Sequence, residues 1–193
     1  MSAAIIGAII GAIIGLIGVV LGFCLNVGYQ EWKSWKNRKK MKAGLLEELR
    51  ANLHMIPQKR DILQKIILQL SRGRLLPGAG VRFLRIFYET HFSSIFPHLD
   101  IQERNSFHIL YEYFRTIDWL LETYADRIVK AMGTEKVNDY ITLYSAMMSD
   151  ALAVLNLTEE LVKKHLEGKP EDVLYTAKKE YIKVISAKYA GDK

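Results

Sequence analysis

The chain has 193 residues, half of them hydrophobic, with a formal charge of +6 and one cysteine. That length accommodates one soluble domain beside a membrane span and argues against a second domain. The lone Cys24 excludes a disulfide framework within the chain and a cysteine-based zinc site, as suits a reducing compartment. The charge is local: of 27 Lys and Arg, none lies in residues 1–30 and six lie in residues 31–42 against the single acid Glu31. That leaves 21 bases against 20 acids from Ala43 to Lys193, a near-neutral remainder without an extended phosphate-binding face.

From Ala3 to Leu25 the chain reads AAIIGAIIGAIIGLIGVVLGFCL, 23 residues without a charge. A helix of that length crosses a hydrocarbon core of ~30 Å. The run exceeds the core of a signal peptide and no basic residue precedes it, so the expectation is a retained anchor. Lys and Arg close to a span favour the cytoplasmic side, and all those near this one follow it. The predicted organisation is a transmembrane helix over 1–28, a basic juxtamembrane linker over 29–42 and a cytosolic helical domain over 43–193. The N-terminus then lies outside a bacterial inner membrane. Trp32 and Trp35, with Lys36, Arg38, Lys39 and Lys40, are the expected membrane-surface residues, meeting lipid headgroups.

Glycine patterning adds to hydrophobicity. Gly7, Gly11, Gly15, Gly18 and Gly22 are spaced 4, 4, 3 and 4, which places them on an arc of about 80° of one helix. Ile6, Ile9, Ile10, Ile13, Ile14, Ile17 and Leu21 fill the other side. A smooth strip lets a second backbone approach closely, and in lipid such packing holds helices together. A homo-oligomer is expected, with these glycines as its transmembrane interface or pore lining. Asn26, near the arc's cytoplasmic end, is placed to hydrogen-bond across helices or to line a mouth. With no ionisable group in the span, a channel would have an apolar lumen gated by dewetting. A tightly packed, non-conducting anchor fits the same pattern.

Beyond the span, helical periodicity predominates and strand signals are weak. The first predicted helix runs from Glu31 or Met41 to Met55, with Leu45, Leu46, Leu49, Leu53 and Ile56 on its apolar stripe. Pro57 is expected to interrupt it before a second segment, Gln58 to Ser71, carrying Ile62, Ile66, Ile67 and Leu70. RGRLLPGAG, Arg72 to Gly80, reads as a loop. A short amphipathic helix follows over Val81 to Phe92, ended by Ser93 to Asp100. Asp100 with Glu103 forms a capping pair that opens a long helix through Met132. GTEK at Gly133 to Lys136 breaks the pattern before a helix over Val137 to Leu166. GKP at Gly168 to Pro170 breaks it again before a last helix over Glu171 to Tyr189. The fold expected is all-α, an N-terminal transmembrane helix followed by an irregular cytosolic α-helical bundle. Its core stripes carry Phe83, Phe87, Phe107, Tyr111, Phe114, Tyr140 and Tyr144.

Catalytic signatures are missing from the chain: no P-loop, dinucleotide fingerprint, nucleophile elbow or HExxH occurs. Neither enzyme activity nor a cofactor is expected. His91, His98 and His108, with Asp100, straddle a predicted break rather than sharing a helix face, so no metal site is expected. Glu47/Glu48 and Glu159/Glu160 read as solvated helix faces. One local feature stands out: from Ile62 to Tyr88 there are five bases and no acid. Arg72, Arg74, Arg82 and Arg85 flank the Gly78-Ala79-Gly80 turn just before a predicted helix start, an arrangement suited to a phosphate group. Three readings stand: a pocket for a nucleotide or oligonucleotide, a patch for anionic lipid, or a surface loop whose arginines pair with Asp118, Glu122 or Asp126.

The Gly-rich span, the flank EWKSWKNRKKMK and the following GLLEELRANLHMI, together roughly residues 3–56, resemble small bacterial single-span proteins with helical cytosolic domains. The arrangement also looks like the membrane effectors of bacterial anti-phage systems, including the Hailong type. There a nucleotidyltransferase partner supplies an oligonucleotide signal that controls an oligomeric channel. The resemblance implies pore formation and growth arrest on activation. The expected function is an oligomeric inner-membrane effector whose cytosolic bundle senses such a signal. The alternative is a non-conducting membrane-anchored adaptor or scaffold that binds a partner protein.

Overall fold

A computed structural model describes the backbone of residues 3–76, 80–131 and 137–190, and the side chains of 15, 16, 18–76, 80–128 and 141–180. The elements are α1 (Ala3–Ser71), α2 (Ile86–Ile95), a 3-10 turn (Phe96–His98), α3 (Ile101–Ala131), α4 (Val137–Leu166) and α5 (Pro170–Ala190). No strand occurs among the described residues, so the fold class is all-α. The chain divides into two compact units, Met1–Ala43 and Gly44–Lys193.

The break expected at Pro57 does not occur: α1 runs through it. In the second unit Leu45, Leu49, Asn52, Ile56, Lys59, Leu63, Ile66 and Leu70 are all buried. Their spacing alternates four and three, one unbroken stripe on both sides of the proline. Burying Leu63, Ile66 and Leu70 is worth roughly 5–9 kcal/mol, against a cost of about 3 kcal/mol for a proline inside a helix. Tertiary burial therefore holds the register. Leu46, Leu53, Ile62 and Ile67, expected on the stripe, are only half-buried, and Asn52 and Lys59 take core positions instead.

Helix α2 begins at Ile86 rather than Val81. The intervening backbone is bound by side chains from elsewhere: Phe83 N–H by Asp118, and Leu84 N–H by Asn52. Those groups are unavailable to a helical turn. At α3 the expected cap is present, Asp100 Oδ1 accepting the N–H groups of Gln102 and Glu103 at 2.8 Å each.

Helices α1 and α4 end alike. At the close of α4, Gly168 N–H bonds His165 O and Lys169 N–H bonds Lys164 O, both at 3.0 Å. At the close of α1, Gly73 N–H bonds Leu70 O and Arg74 N–H bonds Gln69 O, both at 2.9 Å. Gly73 and Gly168 adopt φ of 69° and 79°, the left-handed turn such endings need. The expected break at Gly133 to Lys136 lies outside the described residues.

Within the second unit α3 packs against α4 and α5, and α4 against α5. Phe107, Leu110, Phe114, Ile117, Leu121 and Tyr124 of α3 meet Tyr144, Met148, Leu155 and Val162 of α4 in a closed core. Of the expected aromatic stripe, Phe83, Phe107, Tyr111, Phe114 and Tyr144 are buried and Phe87 half-buried, while Tyr140 lies outside the described side chains. Part of α4, Ile141–Leu166, is long and apolar enough to cross a membrane by length and composition. Its exposed side carries Ser149, Asp150, Asn156, Glu160 and Lys163, and a polar face opposite a buried stripe is the pattern of a bundle helix.

Candidate functional site

In the first unit, the described part of the apolar run is uncovered. Leu16, Val19, Phe23 and Leu25 are 67–74% exposed, and a side-chain carbon added at Gly15, Gly18 or Gly22 would meet nothing within 4 Å. Gly7 and Gly11 lie outside the described side chains. Gln30 donates to Asn26 Oδ1 at 3.3 Å, so the amide expected at a helix contact is engaged one turn along its own helix. Below it sits an aromatic and cationic belt. Tyr29 and Trp32 lie 6.1 Å apart, Lys36 Nζ stands over Trp32 at 5.1 Å, and Lys39 Nζ over Trp35 at 4.0 Å. Arg38 donates to Ser34 Oγ at 2.8 Å. The positions follow from the 3.6-residue turn, which stacks each base on the ring one turn before it.

The four arginines of the second unit do not converge. Arg72 and Arg74, just past α1, are exposed and have no ion-pair partner among the described residues. Arg82 makes a two-pronged pair with Glu122 of α3, with Nη2 3.0 Å from Oε2, and that carboxylate pushes the guanidinium pKa up. Arg85, 19% exposed, lies 3.7 Å from Glu89 and 4.0 Å from Asp118. Two of the three acids named as partners for this segment therefore take up Arg82 and Arg85. Gly78 and Ala79 lie outside the described residues, and Gly80 has φ of 70°.

Close by is a cluster of buried polar groups that stitches residues 83–88 to α1 and α3. Asp118, 4% exposed, accepts from Lys59 Nζ at 2.9 Å and from Phe83 N–H at 3.0 Å. Asn52 accepts from Leu84 N–H at 2.7 Å and donates to Leu84 O at 2.8 Å. Glu48 accepts from Phe87 N–H at 2.7 Å, Tyr88 N–H at 3.0 Å and Tyr111 OH at 2.6 Å. Arg85 supplies α2 with no side-chain cap, so Glu48, on another helix, satisfies its first free amides and puts negative charge at its positive end. Burial, and then the bond to Glu48, raise the Tyr111 pKa. Burial pushes the neighbouring Tyr88 up to about 12; its ring stacks on Tyr111 at 3.9 Å.

This cluster corrects the reading of Glu47 and Glu48 as one solvated face. Glu47 is exposed and pairs with Arg50, whereas Glu48 is buried. Its position one turn before Asn52, in line with Leu45 and Leu49, is the sequence signal that would have found it. Glu159 pairs with Arg60 and Lys163, and Glu160 with Lys164. Ser106 and His165 form a 2.7 Å bond between buried side chains, part of the packing of α3 on α4. Tyr88 OH lies 3.1 Å from His108 Nδ1. No group of three His, Cys, Asp or Glu among the described residues is arranged to hold a metal ion.

No family model, curated protein or solved structure matches the chain.

Proposed function

We propose that this chain is an oligomeric single-span membrane effector, anchored by residues 1–28 in a bacterial inner membrane with residues 43–193 on the cytoplasmic side. The reading is carried by the uncovered apolar run. From Leu16 to Val27 no charged residue occurs, and the described side chains are exposed on every side of the helix. A contiguous apolar surface of that kind demands an apolar partner, and lipid supplies it. The stacked Trp–Lys pairs at residues 32–39 support a boundary there, because amphipathic rings and snorkelling lysines favour headgroup depth.

Self-association follows from the glycine strip, along which nothing fills the space beside Gly15, Gly18 and Gly22. Repacking of those helices on a cytosolic signal is the step that permeabilises the membrane. A signal operates such a switch only by binding its two states unequally. Because Arg82 and Arg85 are engaged by acids, of the four arginines the exposed Arg72 and Arg74 are left to meet a phosphate-bearing signal. Expressed with a membrane-potential dye, the intact chain depolarises cells and Gly11→Leu/Gly15→Leu does not. Depolarisation by that double variant would sink the effector reading.

The ion-paired Arg82 and Arg85 favour a second reading, in which the bundle is a scaffold for a partner protein and the span only localises it. In that case no condition depolarises cells, and the chain purifies in mild detergent with a different protein rather than with itself.

A further inference from the structure

The glycine strip does not stop at the membrane boundary. Three turns beyond Gly22, on the same side of α1, the helix carries Lys33, Lys36 and Lys40 at the spacing of three and four that separates Gly15, Gly18 and Gly22. Glu31, the one acid in residues 29–43, lies on the opposite side. None of the three lysines is in an ion pair among the described residues. Together with Tyr29 and Trp32 they share one exposed face of the helix.

Two copies that pack along the glycines carry this stripe into the same seam, since a spacing of three and four keeps helices in contact along their length. Six ammonium groups then face one another beside the membrane, where like charges repel. We infer that Lys33, Lys36 and Lys40 form a phosphate-binding stripe that neighbouring copies share, so that self-association requires a phosphate group between them. This rests on the anchored, self-associating reading above. Helical side chains lean toward the helix N-terminus, which in that orientation aims the lysines back at the bilayer surface. Lys33 stands about 8 Å beyond Gly28 along the axis, at headgroup depth, so phospholipid phosphate is the nearest supply. Lys36 over Trp32 puts an ammonium and an aromatic ring together there, two groups that favour the headgroup region.

The test uses the full chain, labelled for energy transfer between copies, in vesicles of phosphatidylcholine alone or with phosphatidylglycerol. Each pair of ammonium groups opposed across the seam weakens association roughly fivefold, and phosphate lying between the stripes relieves three such pairs, so phosphatidylglycerol strengthens wild-type association by on the order of 100-fold. Lys33→Gln/Lys36→Gln/Lys40→Gln has no repulsion to relieve. It associates at least as well as wild type in phosphatidylcholine and gains nothing from phosphatidylglycerol. Arg38→Gln/Lys39→Gln/Lys42→Gln removes as much charge outside the stripe and keeps the gain. Equal responses from both triple variants would reduce the effect to diffuse attraction and overturn the stripe. Inorganic phosphate added to phosphatidylcholine vesicles separates the sources: strengthening there assigns the site to free phosphate, and no change assigns it to lipid. A wild type that associates without responding to either phosphate overturns this inference alone. One that stays monomeric in every composition overturns the self-association beneath it.

Discussion

Glu48→Ala removes the cap of α2 from a distance. Three donors lose their acceptor: the N–H groups of Phe87 and Tyr88 and the Tyr111 hydroxyl, at 2.7, 3.0 and 2.6 Å. Hydrogen bonds to a charged group contribute roughly 1.5–3 kcal/mol each. The two amides sit at a half-buried helix start where water returns some of that, so a loss of about 3 kcal/mol is expected. Such a loss increases the open population of this segment about 100-fold, and native-state hydrogen exchange on the full chain in detergent reads it directly. Peptides covering residues 83–95 lose protection first, ahead of those from α3 and α4. Glu47→Ala, one residue away, changes nothing, because an exposed ion pair is worth about 0–1 kcal/mol. Tyr111→Phe lowers global stability by about 1.5–3 kcal/mol but leaves α2 protected. Exchange at wild-type rates over 83–95 in Glu48→Ala would refute the claim that this carboxylate holds the helix start.

Further outcomes follow from neighbouring contacts. A methyl at Gly44 would overlap the Phe87 ring, so Gly44→Ala destabilises by about 1–2 kcal/mol. With Phe87→Leu the clash is gone, and the same change then stabilises through helix propensity; thermal unfolding of the two backgrounds checks the reversal. Asp118→Ala leaves Lys59 buried without its partner and costs about 3–5 kcal/mol, and adding Lys59→Met recovers part of it, a double-mutant cycle read by urea unfolding. The bonds from Lys163 and then Arg60 hold the Glu159 carboxyl below its ordinary 4.5. Its stabilisation is therefore complete above pH 4.5 and is lost as pH falls through the depressed folded value. Glu159→Gln flattens that acid limb in a stability–pH profile. Tyr88 is held up to about 12 from an ordinary 10, so its share of stability falls as pH rises from 10 toward 12. Phenolate absorbance titration of Tyr88→Phe against wild type measures the difference.

Much of the architecture was legible in local chemistry. The helix over Val137–Leu166, the Asp100 cap, the loop opening at Arg72 and the break at Gly168 depend on residues within a turn of one another, whose preferences survive whatever packs above them. So does the aromatic and cationic belt at residues 29–39, since each Trp–Lys stack joins residues one turn apart on α1. The sequence by itself determined an all-α chain with an uncharged apolar run, a basic flank and a glycine strip. It did not determine that α1 passes through Pro57, that α2 waits until Ile86, or that Glu48, Asn52, Lys59 and Asp118 leave water to hold residues 83–88. Each of those outcomes joins residues 32–63 positions apart, or depends on burial gained across several helices. No window of sequence carries that energy, because the partners meet only once the bundle has closed.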